Sequence, residues 1–516
     1  MRTTAVGKTK VALGKIFNRF TIMTVLILLQ FAYLAVAIFQ LGSYAIWTTL
    51  SFSILSALVA VFIIYRNDHP AYKMGWIMLI CLLPILGVTM YIFFGNKRPS
   101  RRIKKRVDPV DQAHREDLAQ VYNLGEINNS RIMKTIEYIS QYGPYPAWAG
   151  TKTGYYASGD EAFPDLLEDL WKAKHFIFLE YFIIGEDSRM WNEILEILRE
   201  KVQEGVDVRV IYDDIGSIRS VHYGFAQRLE KEGIKAMAFN PVRPFASLVY
   251  NNRDHRKLCV IDGYIAHTGG YNLEDAYINQ DLRFGHWKDA GLRLEGEAVW
   301  NFTVMFLNMW NAFRKTEADY DRFGPYVHHP EPFDSDGIVQ PYSDTPLDDE
   351  ELGENVYLEM ISQAQEYVYI FTPYLILDSE ILKAMELASK RGVDIRVVTP
   401  GVPDKRTVYR LTRSYYPPLL RAGVKVYEYS PGFIHSKCVL SDDLKGIVGT
   451  INFDYRSLFL HFECGTLLLG SSALAGLKED CQNTFECCRQ IHSGSRHGSL
   501  LGVLYDGVLR ALSPLL

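Results

Sequence analysis

The chain has 516 residues, of which 48% are hydrophobic and 22% are charged, and its formal net charge at pH 7 is −5. This length is sufficient for two or three domains. The seven cysteines are odd in number and show no CxxC spacing, which argues against both a disulfide framework and a zinc ribbon.

Three apolar segments lie within the first 95 residues: Phe20–Leu41, Tyr44–Tyr65 and Gly75–Phe94. Each is near the roughly 20 residues needed to cross a bilayer. No short apolar region ends in a small-residue cleavage site, so a removable signal peptide is not expected. Residues 1–95 are therefore predicted to form an α-helical, multi-pass membrane anchor.

The basic residues that flank these segments bear on orientation. Three full crossings would divide them equally between the two sides, so the positive-inside rule could not choose an orientation. If the third segment turns back at Pro84–Gly87, all of them fall on one side. We therefore expect two crossings plus a re-entrant third segment, with the rest of the chain in the cytoplasm. The basic run at 97–106 is expected to meet anionic lipid head groups rather than nucleic acid.

After this basic run and a polar linker, which together span residues 96–150, a first lobe is predicted over residues 151–330. Phe176–Ile184 is a nearly continuous apolar run, which is typical of a strand covered on both faces. A helical pattern follows at Trp191–Val202, and then a second buried strand at Val208–Tyr212. Strands that alternate with helices predict an α/β lobe with a mixed or parallel sheet.

The same order returns in a second lobe, predicted over residues 355–516. Tyr367–Tyr374 is predicted to be a strand, Ser379–Ser389 a helix and Ile395–Val398 another strand. Between the lobes, Glu331–Glu354 is rich in Pro, Asp and Glu, which predicts an interdomain linker. Two homologous lobes are expected to pack as a pseudo-twofold pair. The C-terminal amphipathic stretch, Leu500–Leu516, is compatible with lying against lipid, although such a stripe is more often core.

One pattern of side chains occurs once in each lobe with the same spacing. It comprises His255, Lys257, Asp262, Gly269 and Asn272 in the first lobe, and His435, Lys437, Asp442, Gly449 and Asn452 in the second. Residues i and i+2 of a strand project to the same face, so each histidine and its lysine are expected to point together. We interpret the pattern as one site assembled from two halves.

This site is predicted to hold a phosphate between the two histidines. Lys257, Lys437, Asn272 and Asn452 would bind and orient the phosphate without a metal. An in-line displacement at phosphorus needs a nucleophile and a proton donor on opposite sides, and one imidazole from each half supplies that geometry. The pattern alone does not distinguish the nucleophile from the acid.

The duplicated HxKxxxxD pattern, together with IYDDIGS (211–217), TGGYNLEDAYIN (268–279) and HFECG (461–465), resembles bacterial cardiolipin synthases of the phospholipase D superfamily. The resemblance spans almost the whole chain and departs from the family in an extra first hydrophobic segment. It implies two phospholipase D-like lobes behind a membrane anchor in the bacterial cell membrane. It also implies transfer of a phosphatidyl group from one phosphatidylglycerol to another, without a cofactor, with membrane phospholipids as partners.

Three other activities are alternatives to this transfer. A phospholipase D-type hydrolase, or a phosphatidyltransferase with another alcohol acceptor, would pass through the same intermediate. A membrane-tethered nuclease is disfavoured because the lobes lack a sustained basic stripe with interleaved aromatic residues, and no nucleic-acid partner is expected. The sequence does not determine the oligomeric state.

The resemblance further implies that a carboxylate from the opposite lobe orients each catalytic histidine. Glu463 would support His255, and Asp289 would support His435. By analogy His255 is the nucleophile and His435 the general acid and base.

Asp262 and Asp442 belong to the catalytic motif, but we expect them to stabilise their lobes by hydrogen bonding. Five other histidines are expected to be structural or solvent-facing: His267, His286, His461, His492 and His497.

Overall fold

The computed structural model describes residues 28–32, 35, 45–66, 69–95, 101–118, 130–241, 251–317, 319–492 and 500–513. The chain divides into two compact units. The two-lobe unit comprises Pro99–Val242 and Tyr250–Asp506, and the terminal unit comprises Met1–Arg98, Arg243–Val249 and Gly507–Leu516. The two-lobe unit therefore contains both predicted lobes except residues 243–249 and 507–516.

The terminal unit includes the helices α1 (Ala45–Tyr65), α2 (Pro70–Leu82) and α3 (Pro84–Phe94). The third predicted apolar segment is thus two short helices that meet at Leu83. The chain packs back on itself there, because a Cβ on Gly87 would lie 2.7 Å from the Cα of Ile80. The break at Leu83 comes one residue before the turn predicted at Pro84–Gly87, and Pro84–Gly87 themselves begin α3.

The predicted segment Phe20–Leu41 lies mostly outside the described residues. Within this segment, residues 28–32 are described and are helical. Among the helices described for this chain, none combines the length and the hydropathy of a membrane span. The predicted multi-pass anchor is therefore not confirmed.

The first lobe is built on a seven-stranded mixed sheet in the order β1-β8-β6-β5-β2-β3-β4. The strands β2, β3 and β4 are parallel, and the others pair antiparallel. The strands of this lobe are β1 (Thr151–Tyr156), β2 (Phe176–Tyr181), β3 (Asp207–Asp213), β4 (Lys235–Phe239), β5 (Lys257–Ile261), β6 (Ile265–Gly269), β7 (His286–Lys288) and β8 (Gly291–Gly296).

The second lobe repeats this order as β9-β16-β15-β14-β10-β11-β12 and adds β17 at the edge. Its strands are β9 (Ile338–Asp344), β10 (Tyr367–Phe371), β11 (Asp394–Pro400), β12 (Lys425–Tyr429), β13 (Gly432–Ile434), β14 (Cys438–Ser441), β15 (Lys445–Gly449), β16 (Glu463–Leu469) and β17 (Cys488–Ile491). The prediction of two homologous α/β lobes with mixed sheets is confirmed.

The interdomain linker predicted at Glu331–Glu354 is wrong for Ile338–Asp344, which forms β9 and pairs antiparallel with β16. β9 is the counterpart of β1, so the second lobe begins earlier than the sequence suggested. Pro341 and the charged residues on either side of the strand made this stretch resemble a linker in the sequence. A proline is tolerated there because β9 is the edge strand of its sheet.

Helices surround the two sheets, and α9 is the most buried of them, with every residue from Val299 to Asn311 buried. Its Phe306 stacks on Phe178 of β2 with ring centroids 4.5 Å apart. The helices of this unit are α4 (Arg101–Ala113), α5 (Ser130–Tyr142), α6 (Gly159–Lys172), α7 (Arg189–Gln203), α8 (Phe225–Lys231), α9 (Val299–Phe313), α10 (Pro325–His328), α11 (Leu352–Gln363), α12 (Ser379–Lys390), α13 (Arg406–Ser414), α14 (Tyr416–Ala422), α15 (Tyr455–Phe459) and α16 (Ala473–Cys487). The last helix, α17 (Leu500–Leu512), extends past the end of the unit at Asp506.

Candidate active site

Two backbone contacts join the lobes beside the motif histidines. β13 of the second lobe pairs with β7 of the first, with Ile434 opposite Lys288. Asp254 forms a bridge with Phe462. His435 directly follows Ile434, and His255 directly follows Asp254. Each motif histidine therefore lies next to backbone of the other lobe.

His255 is held by two groups of the second lobe. Its backbone N–H donates to the carbonyl of Phe462 at 2.9 Å. Its Nδ1 lies 2.9 Å from Oε2 of Glu463, whose side chain is fully buried. Because Nδ1 is engaged with the carboxylate, Nε2 is the ring nitrogen left to face a substrate.

His435 is held in the same way by the first lobe. Its backbone N–H donates to the carbonyl of Lys288 at 2.6 Å. Its Nδ1 lies 2.8 Å from Oδ2 of Asp289, which is also fully buried. The two imidazole–carboxylate pairs therefore cross between the lobes.

Lys257 and Lys437 are buried beside these histidines. The Nζ of Lys257 donates to the carbonyl of His255 at 2.6 Å, and Lys437 donates to the carbonyl of His435. Burial lowers the pKa of Lys257 to about 8. Burial also lowers the pKa of Lys437 to about 7, and the positive charge of Lys257 contributes to that shift. The two ammonium groups therefore share one electrostatic environment, and an anion bound beside them would favour their charged forms.

The imidazoles and carboxylates have shifted pKa values with different causes. Burial lowers the pKa of His255 to about 3 and that of His435 to about 4, so both rings are neutral at neutral pH. Burial opposes ionisation of Glu463 and Asp289, but their contacts with the imidazoles outweigh it and hold both pKa values below the ordinary range. The site thus contains ionised carboxylates behind neutral rings.

The residues behind the two carboxylates differ. A Cβ on Gly270 would lie 1.9 Å from Oδ1 of Asp289, so this position must lack a side chain for Asp289 to reach His435. At the matching position of the second lobe, the hydroxyl of Thr450 donates to Oε2 of Glu463 at 2.5 Å.

Aromatic rings surround the histidines. Phe182 lies 4.9 Å from His255, measured between ring centroids, in an edge-on arrangement. Tyr277 and Trp287 lie 5.4 and 5.3 Å from His435. These apolar neighbours account for much of the burial that lowers the pKa values of both imidazoles.

The two motif asparagines have different environments. Oδ1 of Asn272 accepts from the N–H of Ile183 at 3.0 Å, and its Nδ2 donates to the hydroxyl of Tyr277 at 2.8 Å. Oδ1 of Asn452 is buried and has no hydrogen-bond partner within the described ranges. Asn272 is therefore fixed by its own lobe.

The motif aspartates lie in turns at the far ends of the motif strands. Asp262 has a φ of 49° and accepts hydrogen bonds from the N–H groups of Lys174, His175 and Phe176 at 2.8 to 2.9 Å. Asp442 has a φ of 54° and accepts from three consecutive N–H groups at the same distances, those of residues 365–367. Each carboxylate thereby anchors the start of a central strand.

His461 lies close to His255, although the sequence indicated a structural or solvent-facing residue. Its side chain is largely buried, its Nδ1 lies 3.6 Å from Oε1 of Glu463, and its ring lies 5.6 Å from that of His255. His461 lies two residues before Glu463, the orienting carboxylate of its lobe. Trp287 holds the corresponding position in the first lobe, two residues before Asp289. Comparing the two lobes at that offset would have placed His461 near the site.

Two groups of side chains in the described part of the chain place potential metal ligands within 4.8 Å of one another. One consists of His255, His461 and Glu463, and the other of Glu354, Asp378 and Glu380. A metal bound at the first group would have to replace the hydrogen bond between His255 and Glu463.

Comparison with known proteins first defines the class. The crystal structure of phosphatidylserine synthase from Haemophilus influenzae matches with a TM-score of 0.54 at 15% identity, over 74% of this chain and 100% of that chain. At that identity the likeness shows the fold alone. A family model described as cardiolipin synthase, PLD-like domain, matches residues 166–298 and 357–486, once in each lobe. A second model, described as phospholipase D-nuclease N-terminal, matches residues 54–96.

Curated relatives then define the family. The cardiolipin synthase of Alkalihalophilus pseudofirmus is 32% identical over 97% of this chain and 100% of its own length. Cardiolipin synthase 2 of Bacillus anthracis is 34% identical over 90% of this chain and 91% of its own length. The chain belongs to the cardiolipin synthase family of phospholipase D-like proteins.

Proposed function

We propose that this protein is a cardiolipin synthase, a phosphatidyltransferase that converts two phosphatidylglycerol molecules into cardiolipin and glycerol. The observation that carries the proposal is the crossed pair of contacts, His255 with Glu463 and His435 with Asp289. The family of the chain supplies the substrate class.

The first step forms a covalent intermediate. Nε2 of His255 attacks the phosphorus of one phosphatidylglycerol, and the bond from phosphorus to the oxygen of the head-group glycerol breaks. His435, which the bound phosphate anion favours in its protonated form, gives its proton to the leaving oxygen. Glu463 stabilises the positive charge that develops on the phosphorylated ring of His255.

The second step reverses these roles. His435, now neutral, accepts the proton of a head-group hydroxyl from the second phosphatidylglycerol. That oxygen attacks the phosphorus, the bond from phosphorus to Nε2 breaks, and cardiolipin is formed. Asp289 stabilises the imidazolium of His435 as His255 returns to its neutral form.

The lysines and asparagines bind the phosphate oxygens in this proposal. Lys257 and Lys437 neutralise the phosphodiester, and protonation of both ammonium groups is restored when the anion binds. Asn452 supplies a further hydrogen bond, and Asn272 does so through the N–H that is not used on Tyr277. Asp262 and Asp442 act only by holding the strands that carry the histidines.

Membrane attachment through the terminal unit is part of the proposal, with the two lobes in the cytoplasm. It is supported by the family match at residues 54–96 and by the exposed apolar residues of α1, such as Leu58 and Val61. Labelling of engineered cysteines near Lys97 and near Ser43 tests the topology. Access from outside the cell near Lys97 contradicts a cytoplasmic location of the lobes.

The activity is tested by incubating the purified full-length protein with phosphatidylglycerol vesicles and analysing the products by mass spectrometry. Cardiolipin and glycerol in equal amounts are expected. Phosphatidic acid alone would identify a hydrolase, a different phosphatidyl ester would identify another acceptor, and DNA cleavage without lipid turnover would identify a nuclease.

The shared site is tested with His255→Ala and His435→Ala. Each variant should fold and lose multiple turnovers, because neither half acts alone. Retained multiple turnover by a folded His255→Ala protein overturns the proposal.

A further inference from the structure

The first turns of α17 present apolar side chains to the outside. Leu501 is 78% exposed, Leu504 59% and Tyr505 48%, and Val508 is also exposed one turn later. At 3.6 residues per turn these four positions lie on one face of the helix. An amphipathic helix of a water-soluble domain ordinarily turns such a face inward.

The polar side of this helix is tied to the second lobe. Nε of Arg410, on α13, lies 2.6 Å from Oδ1 of Asp506. A second guanidinium nitrogen of Arg410 donates to the carbonyl of Gly502 at 3.2 Å. The same guanidinium lies 4.5 Å from the ring centroid of Tyr505. These contacts fix the rotation of the helix, so its apolar face cannot turn inward without breaking an ion pair.

Basic residues begin the neighbouring helix α13. Lys405 and Arg406 are exposed at its start, and Arg410 follows one turn later. Apolar side chains beside exposed basic ones are the composition that binds the surface of an anionic bilayer. Tyr505 suits the same boundary, because its ring is apolar and its hydroxyl is polar.

A short series of contacts leads from this surface to the catalytic site. Nζ of Lys405 donates to the hydroxyl of Tyr374 at 3.2 Å. The ring of Tyr374 lies 6.3 Å from that of Phe433, which lies 5.9 Å from the ring of His435. The surface thus borders the half of the site that holds the proposed general acid.

We propose that the exposed face of α17 and the start of α13 form a docking surface for an anionic phospholipid bilayer. We call it the docking face and define it as Leu501, Leu504, Tyr505 and Lys405. The inference rests on the proposed function, because both substrates of that reaction are anionic lipids in a bilayer. The apolar side chains enter the acyl region, and the lysine meets the phosphates.

Site-specific photocrosslinking tests the docking face in the full-length protein. A benzophenone side chain replaces Leu504 in one protein and Leu444 in another, and both are irradiated in phosphatidylglycerol vesicles. Leu444 is the matched control, because it is a 53% exposed leucine in the turn between β14 and β15. Lipid adducts are expected at position 504 and not at 444. Equal lipid labelling at both positions, or chain-to-chain adducts alone at 504, overturns the proposal, and neither outcome depends on catalysis.

A double substitution, Leu501→Glu with Leu504→Glu, tests the consequence for turnover. Loss of two leucines that enter the bilayer should lower turnover in vesicles at least about tenfold. Turnover of a short-chain, monomeric phosphatidylglycerol should stay close to that of the wild type. Leu444→Glu should leave both rates unchanged. Equal loss on both substrates would show that the variant damages the fold or the site, and it overturns a role in docking.

Discussion

The carboxylate of Glu463 offers the sharpest test of the crossed pairs, and the change that isolates its charge is Glu463→Gln. A glutamine keeps the length of the side chain and an oxygen that accepts from Nδ1 of His255. It removes the negative charge that lies 2.9 Å from that nitrogen. The hydroxyl of Thr450 also donates to the carboxylate, and it can donate in the same way to the amide oxygen of the glutamine.

The magnitude follows from the burial of the pair. A hydrogen bond to a charged group contributes about 1.5–3 kcal/mol. In the ground state His255 is neutral, since burial lowers its pKa to about 3, whereas the phospho-histidine carries positive charge. The lost stabilisation therefore falls mainly on the transition state, and we expect kcat to drop about 10- to 150-fold.

The assay is steady-state turnover of phosphatidylglycerol in vesicles, with the adduct on His255 followed by mass spectrometry in a single turnover. KM should change by less than about threefold, because Glu463 is not proposed to contact lipid. Glu479→Gln is the matched control, since Glu479 is an exposed carboxylate on α16. A folded Glu463→Gln protein with the kcat of the control would refute the orienting role of the carboxylate.

The site and its supports lead to three further expectations. The value of kcat/KM should fall as pH rises above about 7, because Lys437 and then Lys257 lose the charge that binds phosphate. The value of kcat should change less, since the bound anion keeps both lysines protonated. A flat kcat/KM profile up to about pH 9 would contradict this expectation. The depressed pKa values of His255 and His435 mean that below about pH 6.5 the unfolded chain binds protons that the folded chain does not. The free energy of unfolding should therefore decrease by about 1.4 kcal/mol for each ring and each unit by which the pH falls. Denaturant unfolding between about pH 7 and 5 should show a shallower pH dependence in His255→Asn, and an unchanged slope would count against burial as the cause. Asp442→Asn should lower the free energy of unfolding by about 1.5–3 kcal/mol, because it weakens the hydrogen bonds to three N–H groups, and it should leave kcat of the folded protein unchanged. Loss of kcat without loss of stability would assign Asp442 a direct role in catalysis.

The sequence predicted the parts of this molecule that are repeated. Two lobes could be inferred because buried strands and the histidine motif recur in the same order, and a repeated pattern needs no knowledge of distant contacts. The helix break before Pro84 was also predictable, because proline disfavours a helical conformation in the residue before it. These features are local in the chain.

The features that the sequence did not predict depend on contacts between distant segments. β9 reads as a linker because its strand character comes from pairing with β16, more than one hundred residues later. His461 has no motif of its own and acquires a place in the site only when β16 brings Glu463 to His255. Gly270 and Thr450 differ because each must fit the carboxylate behind it, and that requirement is visible only in three dimensions.

The crossed contacts also explain why the two lobes form one unit. Asp289 and Glu463 are fully buried anions, and the imidazole that forms a hydrogen bond with each belongs to the other lobe. A hydrogen bond to a charged group contributes about 1.5–3 kcal/mol, and separation of the lobes would lose both of these bonds. The same contacts that fix Nδ1 of His255 and His435 therefore stabilise the interface between the lobes. Assembly of the lobes and assembly of the active site are one event, and a half that folded alone would have an imidazole without the carboxylate that orients it.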